Sequence, residues 1–165
     1  MKRVVLVRHA KAVQWGYEDD FNRGLTDRGE KDASRVSNYL KSIGIIPDRM
    51  ISSPALRAWH TARIFAENLS YPETKIIQNH DLYPGVATAE LMELIHVFPE
   101  ESGCVFLFGH NPSFEFNAQG LSLDFNGDLP TSSAVVIDFG EKSWKNIKAR
   151  SGSLFSHVSP RTLNF

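Results

Sequence analysis

Two short stretches constrain this chain more than anything else in it. Val4-Val5-Leu6-Val7 and Cys104-Val105-Phe106-Leu107-Phe108 are unbroken apolar runs, and each stops abruptly, the first at Arg8-His9 and the second at Gly109-His110-Asn111. A strand with one face in water alternates apolar and polar side chains, so a run without alternation must be covered on both faces. Strands of that kind belong to parallel sheets flanked by helices, because a parallel connection has to cross over the sheet. Neither run is long enough to span a bilayer, and the first lacks the cleavage region of a signal peptide.

The segments between the runs supply the helices. Ala33, Val36, Leu40 and Ile43 recur at helical spacing and predict a helix over about 27–42, with Asp27 and Glu30 offering N-cap chemistry after Thr26 and with Gly44 and Pro47 marking its end. Leu56, Trp59, Ala62, Ala66 and Leu69 predict a second helix starting near Ala55, and further helices are expected over 88–97 and 114–121. Short strands are expected at Met50-Ile51, at 75–77, at 134–139 and at 144–149, the last two joined by a turn over 140–143. Residues 151–165 carry little pattern. The alternation of strands and helices predicts an α/β protein, a three-layer α/β/α sandwich with a mainly parallel central sheet. At 165 residues, 42% of them hydrophobic, the chain fits a single domain over 1–165.

Charge and cysteine content remove several classes of function. With 18 Lys and Arg against 19 Asp and Glu, nothing draws the chain as a whole to nucleic acid or to an anionic membrane, and any basic site must be local. The single cysteine, Cys104, excludes an intramolecular disulfide and a cysteine metal cage, and its apolar run marks it as inert core; a reducing compartment, the cytoplasm, is the expected location. His60, His80, His96 and His157 lack metal-ligand spacing, and Asp124, Asn126, Gly127 and Asp128 lack the continuation and terminal Glu of a calcium loop, so no metal is expected. No glycine-rich nucleotide fingerprint occurs, and Trp59 reads as helix packing.

What remains is a pattern at the strand ends. Arg8 and His9 follow one buried run, Arg57 opens the helix after the Met50 strand, and His110 follows the other buried run. In open parallel sheets, sites form beyond the carboxyl ends of the strands, so these four side chains are expected in one crevice. Guanidinium forks match phosphoryl oxygens, and an imidazole with an ordinary pKa of about 6.5 is largely neutral near pH 7, a nucleophile that needs no metal. Lys11 would widen the positive field or simply be exposed. Trp15 and Tyr17, in the turn-rich loop over 11–26, would either touch substrate or pin the loop.

The motifs Leu6-Val7-Arg8-His9-Ala10, Ser53-Pro54-Ala55-Leu56-Arg57-Ala58 with Thr61-Ala62, and Gly109-His110-Asn111-Pro112 resemble the histidine phosphatase superfamily. The resemblance extends over most of the chain. Ala10-Lys11-Ala12, Gly24-Leu25-Thr26 followed by Gly29, and Leu82-Tyr83-Pro84 look most like its SixA-type phosphohistidine phosphatases. It implies a phosphoglycerate mutase-like fold, His9 as the nucleophile that becomes phosphorylated, Arg8 and Arg57 as clamps on the phosphoryl oxygens, and His110 completing the pocket and stabilising the transferred group. It implies no cofactor. On physical grounds, a protonated His110 would donate to an equatorial oxygen.

Two departures stand out. Ala10 occupies a position where the family commonly has Gly, and His80-Asp81-Leu82-Tyr83-Pro84 holds no Glu where mutase and phosphomonoesterase relatives place their proton donor. Asp19, Asp20 and Asp81 are the remaining candidates for a general acid. An alkoxide leaving group needs such an acid more than an imidazole does, which favours phosphohistidine as substrate. The short interval between Arg57 and His110 leaves little room for a capping insertion, so a mutase is disfavoured. The expected function is a metal-independent phosphatase acting on protein phosphohistidine. The alternatives are a general small-molecule phosphomonoesterase or a catalytically inactive phosphate- or phosphoprotein-binding module. The expected partner is a phosphorylated protein or a small phosphate-containing substrate, with no nucleic acid and no membrane.

Overall fold

The computed structural model describes residues 1–14 and 19–163. Six strands form one sheet: β1 (Lys2–Arg8), β2 (Arg49–Ser52), β3 (Ile77–Gln78), β4 (Cys104–Gly109), β5 (Ala134–Phe139) and β6 (Ser153–Val158), in the order β3-β2-β4-β1-β5-β6. The first four of that order run parallel, and β5 and β6 are added antiparallel. Four helices cover the faces: α1 (Asp27–Ser42), α2 (Leu56–Asn68), α3 (Thr88–His96) and α4 (Ser113–Leu121).

The two apolar runs are the central strands, and their side chains split with the period of a strand. Val5 and Val7 join Phe106 and Phe108 in a cluster with Ala33, Val36 and Leu40 of α1 and Phe65 of α2. On the other face, Val4 and Leu6 join Val105 and Leu107 against Leu91 and Ile95 of α3 and Phe114 and Ala118 of α4. These residues are almost wholly excluded from solvent. At roughly 1.5–3 kcal/mol for each large side chain, their burial is the main driving term for the three layers.

Helix α1 is capped one residue earlier than the sequence pattern implies. Thr26, not Asp27, is the N-cap, and its side chain accepts the Gly29 amide at 3.0 Å. Gly29 is required there for another reason. A Cβ at that position would lie 2.3 Å from the Lys11 carbonyl oxygen, so only glycine lets the chain that follows His9 cross the first turn of α1.

Two expected strands are corrected. Of the segment 75–77, Lys75 closes a 3₁₀ turn (Glu73–Lys75), Ile76 caps it, and only Ile77 is in a strand, the two-residue β3. Residues 144–149 form no strand. Trp144 opens a 3₁₀ turn (Trp144–Asn146), is fully buried, meets Phe98 edge-on at 5.1 Å and donates its indole N–H to Ser102 O at 2.8 Å. An apolar pair at Trp144 and Ile147 has the spacing of a turn that packs one side down, not of a strand. The partner of β5 is instead β6, inside the segment that carried little pattern. Being an edge strand, β6 is mostly exposed or half-buried, so hydrophobicity did not mark it.

Candidate functional site

The parallel register places the site. Arg8 lies opposite Gly109, and Ser52 opposite Phe108, so β1, β4 and β2 end side by side. Pairing continues one residue further, with the His9 amide donating to Gly109 O at 3.0 Å and the Ser53 amide to Phe108 O at 2.9 Å. His9 and Ser53 are thus fixed along one edge by main-chain bonds, and His110 follows Gly109 there, its carbonyl accepting the Phe114 amide at 2.9 Å. A crevice of about 650 Å³ opens over that edge, and Arg8, His9, Arg57 and His110 all line it. The structure brings together all four residues singled out in the sequence.

His9 is buried, and its Nδ1 lies 2.8 Å from the Ala10 carbonyl oxygen. A carbonyl only accepts, so Nδ1 carries the ring proton and Nε2 keeps its lone pair. The imidazole pKa is pushed down to about 4, first by burial and then by the charges of Arg57, Arg8 and Arg23, against the opposing pull of the Ala10 carbonyl. Burial therefore contributes more than the neighbouring cations. The methyl of Ala10 is accommodated in the core beside Val7 and Ala33, and the Ala10 amide donates to Thr61 Oγ1 at 2.9 Å. Thr61 in turn donates to the Arg57 carbonyl at 2.7 Å, tying α2 to the residue after His9.

His110 has the opposite wiring. Its ring centroid lies 5.3 Å from that of His9, and its Nε2 is 2.7 Å from Ser53 Oγ. Ser53 Oγ accepts the Ala55 amide at 3.2 Å, and among the described residues His110 Nε2 is the acceptor within reach of its hydroxyl proton, which is therefore directed there. The proton of the neutral ring then sits on Nδ1, which is buried and has no hydrogen-bond partner among the described residues. Burial, followed by His9 and Arg57, pushes the His110 pKa down to about 3. Its expected role as a protonated donor is corrected accordingly: the ring is neutral near pH 7, and the donor it offers is the Nδ1–H.

The two arginines are held differently. Arg8 Nη1 donates to Leu129 O at 3.0 Å, an oxygen shared with Asn111 Nδ2 at 2.8 Å, while the Leu129 amide donates to Glu115 Oε1 at 2.9 Å. Burial lowers the Arg8 pKa and Glu115 opposes that shift. Arg57, in the first turn of α2 and almost entirely buried, donates through Nη1 to Asp20 O and through Nη2 to Asp20 Oδ2, each at 2.7 Å. Both Nε atoms are buried without a partner among the described residues.

Asp20 is the hub of a network that the sequence did not disclose. Besides Arg57 it accepts from Arg23 Nη2 at 2.8 Å and from the Tyr83 hydroxyl at 2.9 Å, and the Tyr83 ring meets His110 edge-on at 5.5 Å. Burial alone would raise the Asp20 pKa, but the hydrogen bonds from Arg23, Arg57 and Tyr83 outweigh it and hold the carboxyl well below the usual range. Burial and the bond to Asp20 both raise the Tyr83 pKa. The one available signal was the Asp20-x-x-Arg23 spacing, because a 3₁₀ turn over Asp20–Asn22 brings those side chains together.

The other acid candidates lie elsewhere. Asp19 caps that same turn by accepting the Asn22 amide, and Asp81 lines a separate hollow with Leu82, Val86 and Glu90. Lys11 is exposed at the rim of the crevice, whereas Trp15 and Tyr17 lie outside the described residues. Cys104 is buried, and burial pushes its thiol up to about 12. Among the described residues no cluster of His, Cys, Asp and Glu could hold a metal ion, and no helix is long and apolar enough to cross a membrane.

Known proteins resemble this chain in sequence and fold. The family model of the histidine phosphatase superfamily (branch 1) matches residues 4–83. A serine/threonine-protein phosphatase Pgam5, mitochondrial, of Drosophila ananassae is 32% identical over 101 residues, which is 61% of this chain and 35% of that protein. The chain thus spans about a third of the length of that relative. Among solved structures, a putative phosphohistidine phosphatase SixA from Agrobacterium tumefaciens superposes with a TM-score of 0.80 at 25% identity, covering 96% of this chain and 98% of that one. The protein histidine phosphatase SixA complexed with tungstate gives a TM-score of 0.81 at 22% identity over 98% of this chain and 99% of the other, a likeness of fold.

Proposed function

Since the chain belongs to the histidine phosphatase superfamily, we propose that residues 1–165 form one phosphatase domain that works through a phosphorylated His9 and acts by preference on protein phosphohistidine. His9 Nε2 attacks the phosphorus, the bond from phosphorus to the leaving group breaks, and the leaving group departs with that electron pair. Water then attacks the phosphorylated imidazole, releasing inorganic phosphate and restoring His9. Arg8 and Arg57 bind the non-bridging oxygens, and the His110 Nδ1–H donates to the charge that develops there. The observation that carries this reading is the complementary wiring of the two histidines: Nδ1 of His9 is tied to a carbonyl, which frees Nε2, and Nε2 of His110 is tied to a hydroxyl, which frees Nδ1–H.

The preference for phosphohistidine rests on Asp20. Among the described residues it is the carboxylate lining the crevice, and three donors hold it ionised, so it has no proton to give an alkoxide. A phosphohistidine protonated on its other ring nitrogen departs as neutral imidazole and needs no acid from the protein. Parallel incubation with a phosphohistidine-bearing protein and para-nitrophenyl phosphate, with a chelator present, tests the proposal. Faster phosphate release from the phosphohistidine protein is expected. Release from the ester alone would make the chain a general phosphomonoesterase, and release from neither would make it a phosphate-binding module.

A further inference from the structure

Beside the catalytic crevice lies a second hollow of about 390 Å³ whose charge is out of keeping with the chain. The protein as a whole has a formal charge of -1, yet Lys11, Arg28, Arg35 and Arg161 line this hollow against the single carboxylate of Asp32. That carboxylate is buried and already bridged by Arg28 and Arg35 at 3.4 Å each, so little of its charge faces solvent. Among the described residues neither Lys11 nor Arg161 is paired with a carboxylate. The catalytic crevice continues into this hollow, because Lys11 and Thr131 line both.

The wall that carries Arg161 is built, not incidental. Arg35 of α1 donates to the carbonyls of Pro160 and Leu163 and staples the closing turn (Pro160–Leu163) against the helix. The same turn is closed by the Ser159 amide donating to Thr162 Oγ1 at 3.0 Å. These bonds fix the backbone that carries Arg161 beside the catalytic crevice.

We propose that this trough is a substrate-recognition surface for acidic polypeptide, taking up carboxylates that flank the phosphorylated side chain on the target protein. The inference rests on the phosphatase reading above and adds a substrate class to it. A side chain that delivers its phosphoryl group to His9 leaves its own backbone at the crevice mouth, so neighbouring residues lie across the rim. On the Lys11 side that rim is cationic. Arg28 and Arg35 both converge on Asp32, so the cations that face a ligand without a carboxylate beside them are the single side chains of Lys11 and Arg161, an arrangement that suits carboxylates spaced along a chain better than one compact polyanion.

The test uses two synthetic peptides, each with one phosphohistidine, one flanked by glutamates and the other by glutamines. Affinity is measured by fluorescence anisotropy, and phosphate release is followed in the same samples. The acidic peptide is expected to bind roughly tenfold more tightly to the full chain, from two or three exposed charge pairs acting together, with the advantage shrinking as salt is added. Arg161→Glu should erase the advantage, Arg161→Lys should keep it, and para-nitrophenyl phosphate turnover should be the same in all three proteins. Equal affinities for the two peptides, or a preference that survives Arg161→Glu, would overturn the inference while leaving the phosphatase reading intact. A preference that follows the charge at 161 with no phosphate released from either peptide would support the trough and overturn the phosphohistidine reading.

Discussion

The floor of the crevice and its rim are held by different means. On the floor, His9 is bonded to the main chain at Ala10, Arg8 to the main chain at Leu129, and His110 to a serine that sits where β2 ends. Those partners belong to the sheet or to loops tied to it, and they are buried. At the rim, Asp20 joins Arg23, Arg57 and Tyr83 chiefly through side chains, and half of the Asp20 side chain is exposed. Bonds to a buried main chain fix geometry, whereas ion pairs to a carboxylate that is half in solvent exchange at lower cost. The floor is thus built to hold the reacting atoms still, and the rim is built to be displaced.

Substitutions on the floor should therefore cost turnover, and those at the rim should alter binding. The largest effect in this comparison is expected from His110→Ala, which removes a donor to the transferring group and should lower kcat by roughly 100- to 1000-fold. Steady-state kinetics with para-nitrophenyl phosphate measures it, and a loss confined to KM would place His110 in ground-state binding alone. Ser53→Ala comes next. It deletes the bond that sets the tautomer of His110 and should lower kcat roughly tenfold with little change in KM. An unchanged kcat would mean that the ring keeps its orientation without the hydroxyl.

The smallest effect is expected at the rim. Asp20 occupies both Nη atoms of Arg57, the same donors a phosphoryl group would use. Asp20→Asn should bind vanadate about threefold more tightly, because a competing charge is gone. Weaker binding in that variant would show instead that Asp20 holds Arg57 in place, and the contrast between floor and rim would fail.

Protonation sharpens the same contrast. His9 and His110 have folded-state pKa values of about 4 and about 3, below their ordinary value of 6.5. The unfolded chain therefore binds more protons than the folded one between roughly pH 6.5 and 3. Folding stability contributed by the two neutral rings is fully present above that window and is lost as pH falls through it. Ring resonances followed by NMR should stay at their neutral positions from pH 8 down to about 5. A midpoint near 6.5 for either ring would contradict the buried floor.

How much of this was legible follows the same division. The floor lies at the ends of strands buried on both faces, and such strands announce themselves as unbroken apolar runs, so Arg8, His9 and His110 stood out at their ends. Arg57 was legible because it follows the short Met50 strand at a helix start. The helices over 27–42 and 88–96 were legible because each buries a single apolar stripe. The rim left little trace. Asp20, Arg23 and Tyr83 come from two separate loops, and nothing in a linear pattern says that a tyrosine hydroxyl meets a carboxylate 63 residues away. Edge strand β6 was missed because one exposed face and a bulge against β5 erase its alternation. Trp144 was misplaced because a large apolar side chain in a turn looks locally like one in a strand.

The central claim is that the phosphoryl group passes through Nε2 of His9. The most direct measurement mixes the protein with a phosphohistidine-bearing protein labelled in its phosphoryl group, quenches in alkali during turnover and locates the label by peptide mapping. The account predicts acid-labile label on the peptide containing His9, and none on that peptide in His9→Ala. Turnover at the full rate with no label on His9, or with label on another residue, would contradict it.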